Sequence, residues 1–316
     1  MKIVIPGGSG QVGTLLAKAF ADHGYEVVIL SRVPDSSKHR TVVWDAENPG
    51  KWTDELEGAL AVINLAGRSV NCRYNAENRR QIMDSRVNST RVVGEAIAAA
   101  NDPPKVWLQA STATIYAHTY DRANDDENGV IGGIEPDAPE AWKFSIDVAR
   151  AWERAADEIE TRETRKVLMR SAMTMSPDKG GVFDALMRLV KRGLGGTAGN
   201  GRQYISWIHE TDFVTAVYFL IENEELSGAV NIASPNPLPN REFMRILRGA
   251  SGTRFGMPAT KLMLGLGAVL MGTETELILK SRKVVPKRLT DAGFEFNFPY
   301  WDSAAVDLYE RWRNEQ

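Results

Sequence analysis

Short apolar runs and longer amphipathic stretches take turns along the first two thirds of the chain. Lys2 to Ile5 reads as a buried strand, and Glu26 to Leu30 as a second. Between them, Thr14 to His23 places Leu15, Leu16, Ala19 and Phe20 on one side of a helix. Further strands are expected at Thr41 to Trp44, Leu60 to Leu65, Val106 to Ala110 and Lys166 to Arg170. A long helix over 76–100 carries a buried stripe of Ile82, Val87, Val92, Val93 and Ile97, and Pro103-Pro104 ends it. A second helix starts near Pro139 with Trp142, Ile146, Ala149, Trp152, Glu153 and Ala156, after a loop at about 118–138 rich in Asp, Asn and Gly. Such alternation predicts an α/β fold, a doubly wound parallel sheet with right-handed crossovers. Ligands in such sheets lie at the carboxyl ends of the strands.

Beyond about residue 172 the alternation fades. A helix is expected over 180–192, then the glycine-rich 193–201, then Trp207-Ile-His-Glu-Thr-Asp212 and a helix to Ile221. Val230 to Ala233 reads as a strand, 235–239 as a turn, and two or three helices fill 239–285. The expected division is residues 1–171 for the sheet domain and 172–316 for a smaller, mostly helical substrate lobe. The methionine-rich 257–271 has helical spacing, which suits core or a cover over an apolar substrate.

Glycines stand at 7, 8, 10 and 13, between the first strand and the first helix. Strand, glycine turn and helix together make a dinucleotide-binding loop of Rossmann type. The backbone must turn tightly and approach a pyrophosphate, and the helix N-terminus offers that anion unpaired N–H groups. Gly7, Gly10, Gln11, Val12 and Gly13 are therefore the phosphate contacts expected here. Composition agrees with a globular enzyme: 43% hydrophobic and 25% charged in 316 residues. The net charge of −3 gives no broad basic surface for nucleic acid or anionic membrane. The single cysteine, Cys72, cannot form an intramolecular disulfide, and no metal-ligand spacing exists. The most apolar stretch, 262–271, is too short to span a bilayer. A cytoplasmic protein with a small-molecule substrate is expected, and the sequence admits a homodimer.

With these landmarks the chain resembles the extended short-chain dehydrogenase/reductase superfamily, in its NAD(P)-dependent epimerase/dehydratase group. It is most similar to the "epimerase family" branch with a short C-terminal domain, here at about 258–305. The motifs that carry the resemblance are Gly7-x-x-Gly10-x-x-Gly13, Asn64-Leu-Ala-Gly67, Ser85-Arg-Val-Asn-Ser-Thr90 and Ser111-Thr-Ala-Thr-Ile-Tyr116. Gly201-Arg-Gln203, Ser206-Trp-Ile-His209, Asp212 and the tail from Val285 to Phe296 complete it. The resemblance implies a nicotinamide cofactor, a Ser/Thr after the fifth strand, and a Tyr-x-x-x-Lys pair on the next helix. Thr112 holds the Ser/Thr position and Ser111 precedes it. If Glu153 sets the helix register, Ser145 and Ala149 fall where the tyrosine and lysine belong. A serine hydroxyl is no comparable acid near neutral pH, and alanine has no charge. Fold and cofactor follow from the resemblance, but its usual chemistry does not.

Other candidates are weighed against plainer roles. Ser31 and Arg32 follow the second strand, where an acid would mark NAD; the first acid is Asp35. Arginine and serine suit a 2′-phosphate, so NADP(H) is preferred, with NAD(H) also admitted. Leu65, Ala66 and Gly67 let backbone lie against the cofactor, and Ser111 is expected beside it. Thr112 could polarise a substrate oxygen. Tyr116 is either a replacement acid or a buried structural tyrosine. Asn88 sits where the family orders water, and Lys143 is read as a solvated lysine. Arg202 could meet an anionic substrate, and Trp207 could line its pocket or anchor the lobe; His209 reads as structural. Two functions compete: a nicotinamide-dependent oxidoreductase or epimerase, and an NADP(H)-binding sensor that has lost its proton relay.

Overall fold

A computed structural model of the chain describes residues 1–33, 39–135, 138–259 and 279–315. Asp35 and most of the 257–271 stretch lie outside these residues. The first half builds β1 (Lys2–Pro6), α1 (Gln11–Asp22), β2 (Glu26–Ser31), β3 (Arg40–Val43), β4 (Ala61–Asn64), α2 (Ala76–Ala99) and β5 (Val106–Thr112). Then come α3 (Glu140–Asp157), β6 (Arg165–Ser171), β7 (Met173–Met175), α4 (Val182–Lys191), β8 (Tyr204–Ile205) and β9 (Trp207–His209). The chain continues with α5 (Glu210–Glu222), β10 (Gly228–Ile232), β11 (Leu238–Pro239) and α6 (Asn240–Ala250). The described part of the C-terminal segment adds α7 (Lys287–Asp291) and α8 (Trp301–Asn314).

Seven strands form one parallel sheet in the order β10-β6-β5-β4-β1-β2-β3. The order reverses direction at β1 and β4, beside the glycine loop, which is where such sheets hold their ligands. Both faces are covered. On one, Leu16, Ala17 and Phe20 of α1 and Phe213, Ala216, Val217 and Leu220 of α5 pack on Ile3, Ile5, Ile63 and Leu108. On the other, Val92, Val93 and Ile97 of α2 meet Val4, Val62 and Trp107. Fully burying each such side chain contributes about 1.5–3 kcal/mol.

The expected break at 171/172 does not confine the sheet. β10 pairs with β6 from Gly228↔Val167 to Ile232↔Ser171, and α5 covers the sheet's face. The reason is packing: β6 would otherwise be an open edge, and α5's apolar side has no other core to enter. What stands apart is a smaller cluster in which Phe183, Met187 and Val190 of α4 pack with Phe243 and Leu247 of α6 and Trp301 and Leu308 of α8. Its members are mostly helical, as expected of the lobe.

Candidate active site

The glycine loop separates two demands. Gly7 has φ +75°, and a Cβ there would lie 2.7 Å from the Ala66 backbone. On Gly13 a Cβ would lie 2.5 Å from Gly8 Cα, so helix and turn pack backbone to backbone. Gly10 differs: at φ −77° and ψ 169° it is relaxed, and the nearest atom to an added Cβ is Gly7 O at 3.6 Å. Nothing in the protein requires glycine at position 10. The open space before it is a cradle that a side chain would fill. Thr14 N already bonds Gly10 O, while the N–H groups of Gln11, Val12 and Gly13 precede the helical ladder. Gly7, Gly10, Gln11, Val12 and Gly13 thus fit a pyrophosphate at the N-terminus of α1. α1 begins at Gln11, three residues earlier than the periodicity suggests, and this brings the helix end onto the turn.

The exit of β4 lies against this loop. Ala66 is buried, and its N–H donates to Asn64 Oδ1 at 3.1 Å. Gly67 packs on Arg86, whose Cγ would be 3.3 Å from a Cβ there. Beyond β2, Ser31 is buried and its hydroxyl donates to Ser9 Oγ at 3.3 Å, so its side chain braces the glycine turn. Arg32 is exposed and borders an open cavity with Trp44, Asp45, Asn48 and Trp52. Asp45 is held by Asn48 and by the N–H groups of Glu47 and Asn48, which lower its pKa to about 2.

A cleft of about 210 Å³ opens at the carboxyl ends of β5 and β6. Thr112, the last residue of β5, lies on its wall, and its Oγ1 accepts from Thr114 N at 3.2 Å. Acceptance of that bond leaves the hydroxyl proton available for donation. Ser145 of α3 is on the same wall, while Ala149, one turn on, is buried among Ala113, Ile115 and Tyr116. Phe144, Val148 and Trp152 give the cleft an apolar side. Arg86, Arg282 and Tyr74 also line it.

The model of the NAD dependent epimerase/dehydratase family matches residues 3–233. The chain belongs to that family. Residues 260–308 match a domain of unknown function, DUF1731. The chain is 30% identical to the epimerase family protein YfhF of Bacillus subtilis, across 98% of each chain. It is similar to the crystal structure of the human epimerase family protein SDR39U1 with NADPH: TM-score 0.85, 26% identity, covering 98% of this chain and 99% of that one. A nucleoside-diphosphate sugar epimerase from Corynebacterium glutamicum superposes with a TM-score of 0.76 at 25% identity, over 99% of this chain and 61% of that one.

Within this family frame several expected site residues fall elsewhere. Tyr116 is 2% exposed and lies off the cleft; its hydroxyl donates to Asn231 Oδ1 at 2.8 Å and accepts from Arg170 Nη1 at 2.9 Å. Burial raises its pKa, although Arg170 opposes the shift. The phenol is therefore a joint between β5's exit, β6 and β10. Ser111 is likewise spent, donating to Glu153 Oε1 at 2.5 Å, and Glu153 in turn holds Arg170. Trp207 is fully buried against Trp301, so it is lobe core and no substrate wall. Arg202 is exposed, with its guanidinium 5.4 Å from the Tyr120 ring, away from the cleft. Asn88 is half-buried on α2, and it and Lys143 are not among the residues lining the cleft. Cys72 packs with Val70 and Tyr74 beside Phe144. His209 accepts from Thr211 N at its Nδ1, which caps α5, and lies 3.0 Å from Asp307 through Nε2. Burial holds its pKa below the usual value, against the pull of Asp307. The sequence reading left Arg86, Arg282 and Tyr74 without a role. Arg86 stands inside a quoted motif, yet only the crossing of α2 over β4's exit turns it into the cleft.

Proposed function

We propose that the protein is an NADP(H)-dependent oxidoreductase or epimerase-like enzyme acting on a small carbonyl or sugar-type substrate. The observation that carries this reading is Thr112. Thr112 lines a cleft at the carboxyl ends of the strands, and one lone pair of its hydroxyl is already engaged by Thr114 N. A substrate carbonyl oxygen there would receive the free hydroxyl proton as a hydrogen bond, which steadies negative charge as it develops. The bound nicotinamide would supply or accept the hydride. The cradle at Gly10 and the NADPH found with the human relative support a nicotinamide cofactor. Arg32 supports the phosphorylated form, because a guanidinium matches a 2′-phosphate and the nearby Asp45 is occupied by its own turn. The single Cys72 suits a reducing cytoplasm.

In this reading Ser145 and Ala149 hold the places of the family's tyrosine and lysine, so the proton comes from another group or from water. That same pair favours the second reading, an NADP(H)-binding sensor without turnover. Titration with NADPH followed by absorbance at 340 nm across aldehydes and ketones separates them. Thr112→Val should lower turnover on the order of a hundredfold, and Ser145→Ala should leave it within a few-fold. Equal rates for Thr112→Val and the parent refute the assignment of Thr112. Tight NADPH binding with no turnover of any carbonyl favours the sensor, and no NADPH binding refutes both.

A further inference from the structure

We infer that the cleft takes a substrate bearing a small oxyanion, a carboxylate or phosphate, gripped by Arg86 and Arg282 next to Thr112. This rests on the cleft being the reaction site proposed above, and it names the substrate class. Both arginines are on its wall, and among the described residues that line it there is no aspartate or glutamate. Arg86 is half-buried, yet its hydrogen bonds go only to backbone carbonyls: Nη1 donates to Arg68 O at 3.0 Å and to Ile82 O at 3.1 Å. Its Nε and Nη2 make no hydrogen bond among the described residues. The guanidinium carbon lies 5.0 Å from the Trp152 ring centre, so one face is stacked while an edge stays available. Burial pulls its pKa down to about 10, opposed only by Tyr74.

Other half-buried arginines are answered more fully within the protein. Arg170 meets a carboxylate, Glu153, at 2.7 Å, and Arg165 uses both Nη1 and Nη2 on three carbonyls, where Arg86 uses Nη1 alone. A half-buried cation without a counter-charge among the described residues is costly, and an arriving anion would relieve that cost. Arg282 adds a second charge. It is buried, and its Nε donates at 3.2 Å to Oγ1 of Thr114, the residue whose N–H bonds Thr112. Buried Lys280 bonds Thr114 O at 2.7 Å, a third cation behind the same turn. Trp152 and Phe144 provide flat apolar walls, so an anion attached to an apolar or planar body suits the space. The guanidinium fork would hold the anion, and Thr112 would face the adjacent carbonyl oxygen.

The test uses the full chain saturated with NADP⁺ and titrates benzoate, phenyl phosphate and neutral benzamide by calorimetry. Benzoate or phenyl phosphate should bind at least tenfold more tightly than benzamide, and whichever does so identifies the oxyanion. The preference should fall several-fold between low and high salt. Arg86→Met should abolish it and Arg86→Lys should retain part of it. The NADPH dissociation constant is measured separately for each variant, so failure of the cofactor reading shows itself independently. Equal binding of the three probes, or binding of none while NADP⁺ is bound, overturns the inference. A preference that survives Arg86→Met overturns the part given to Arg86. If Arg86→Met does not fold, Arg86→Lys and the salt dependence still decide.

Discussion

Alanine at Gly10 should remove cofactor binding and spare the fold, whereas alanine at Gly13 should damage the fold itself. A Cβ on Gly13 would press to 2.5 Å on the Gly8 backbone, and no rotamer change can relieve backbone against backbone. Overpacking of this kind costs about 1–3 kcal/mol. Alanine regains about 0.5–1 kcal/mol in a helix. Because backbone cannot yield, the overpacking belongs at the upper end of that range, and the net loss is about 2 kcal/mol, on the order of 4 °C in Tm for a chain of this size. At Gly10 the added methyl meets ordinary contact at 3.6 Å and a relaxed backbone. Its small N-cap penalty and its unfolded-state gain nearly cancel, so Tm should move by about 1 °C. The ligand is what the methyl obstructs. NADPH at a hundred times its Kd should stabilise the parent by about 2.7 kcal/mol, and this gain should vanish in Gly10→Ala. Melting curves with and without NADPH read both effects, and fluorescence titration gives the affinity. An undiminished NADPH shift in Gly10→Ala would refute the cradle. A Tm loss there equal to that of Gly13→Ala would refute the claim that the fold leaves position 10 free.

Three further outcomes are expected. Arg32→Ala should reduce the preference for NADPH over NADH by roughly tenfold, the low end for a charge-assisted contact on an exposed side chain; titration with both cofactors checks it. Tyr116→Phe should lose about 1–3 kcal/mol in urea unfolding, because Arg170 and Asn231 lose a buried partner. NADPH affinity should not change, and a loss of turnover with undiminished stability would restore Tyr116 as an acid. His209 has a depressed pKa in the folded state, so the unfolded chain takes up its proton first as pH falls. The stability it contributes is complete above pH 6.5 and is lost as pH drops from there through the folded pKa. Melting temperatures across pH should show this slope in the parent and a weaker one in His209→Gln.

What the sequence revealed was local. A run of four or five apolar residues, a glycine turn and a helical stripe each declare themselves within a window of neighbours, and β1, α1, β2 and α2 were legible for that reason. Thr112 was singled out by the family pattern that follows the fifth strand, and the fold puts it on the cleft wall. The roles of Tyr116 and Ser111 were not legible because their partners, Asn231 and Glu153, are distant in sequence, so a hydroxyl beside the site could not be told from one engaged in a buried network. Trp207 stayed open between pocket wall and lobe anchor for the same reason: its neighbour Trp301 comes from the last helix. Arg86 and Arg282 were invisible as a pair, since only tertiary packing puts α2 and the segment after residue 279 on one cleft.

The late arrival of β10 bears on how the chain is made. During synthesis β6 is complete at Ser171, but its neighbour ends at Ile232, about 60 residues later. At ordinary translation speeds that is roughly 3–12 s. Through that interval a nascent chain carries a strand of the main sheet with one side unpaired, and α5 is not yet there to cover the apolar face. Such an edge invites pairing with another chain. A fragment ending at residue 171, which looks like a natural unit on the page, would therefore keep that exposed strand permanently and should come out of expression as aggregate. The shortest fragment able to seal the sheet must reach past Ile232.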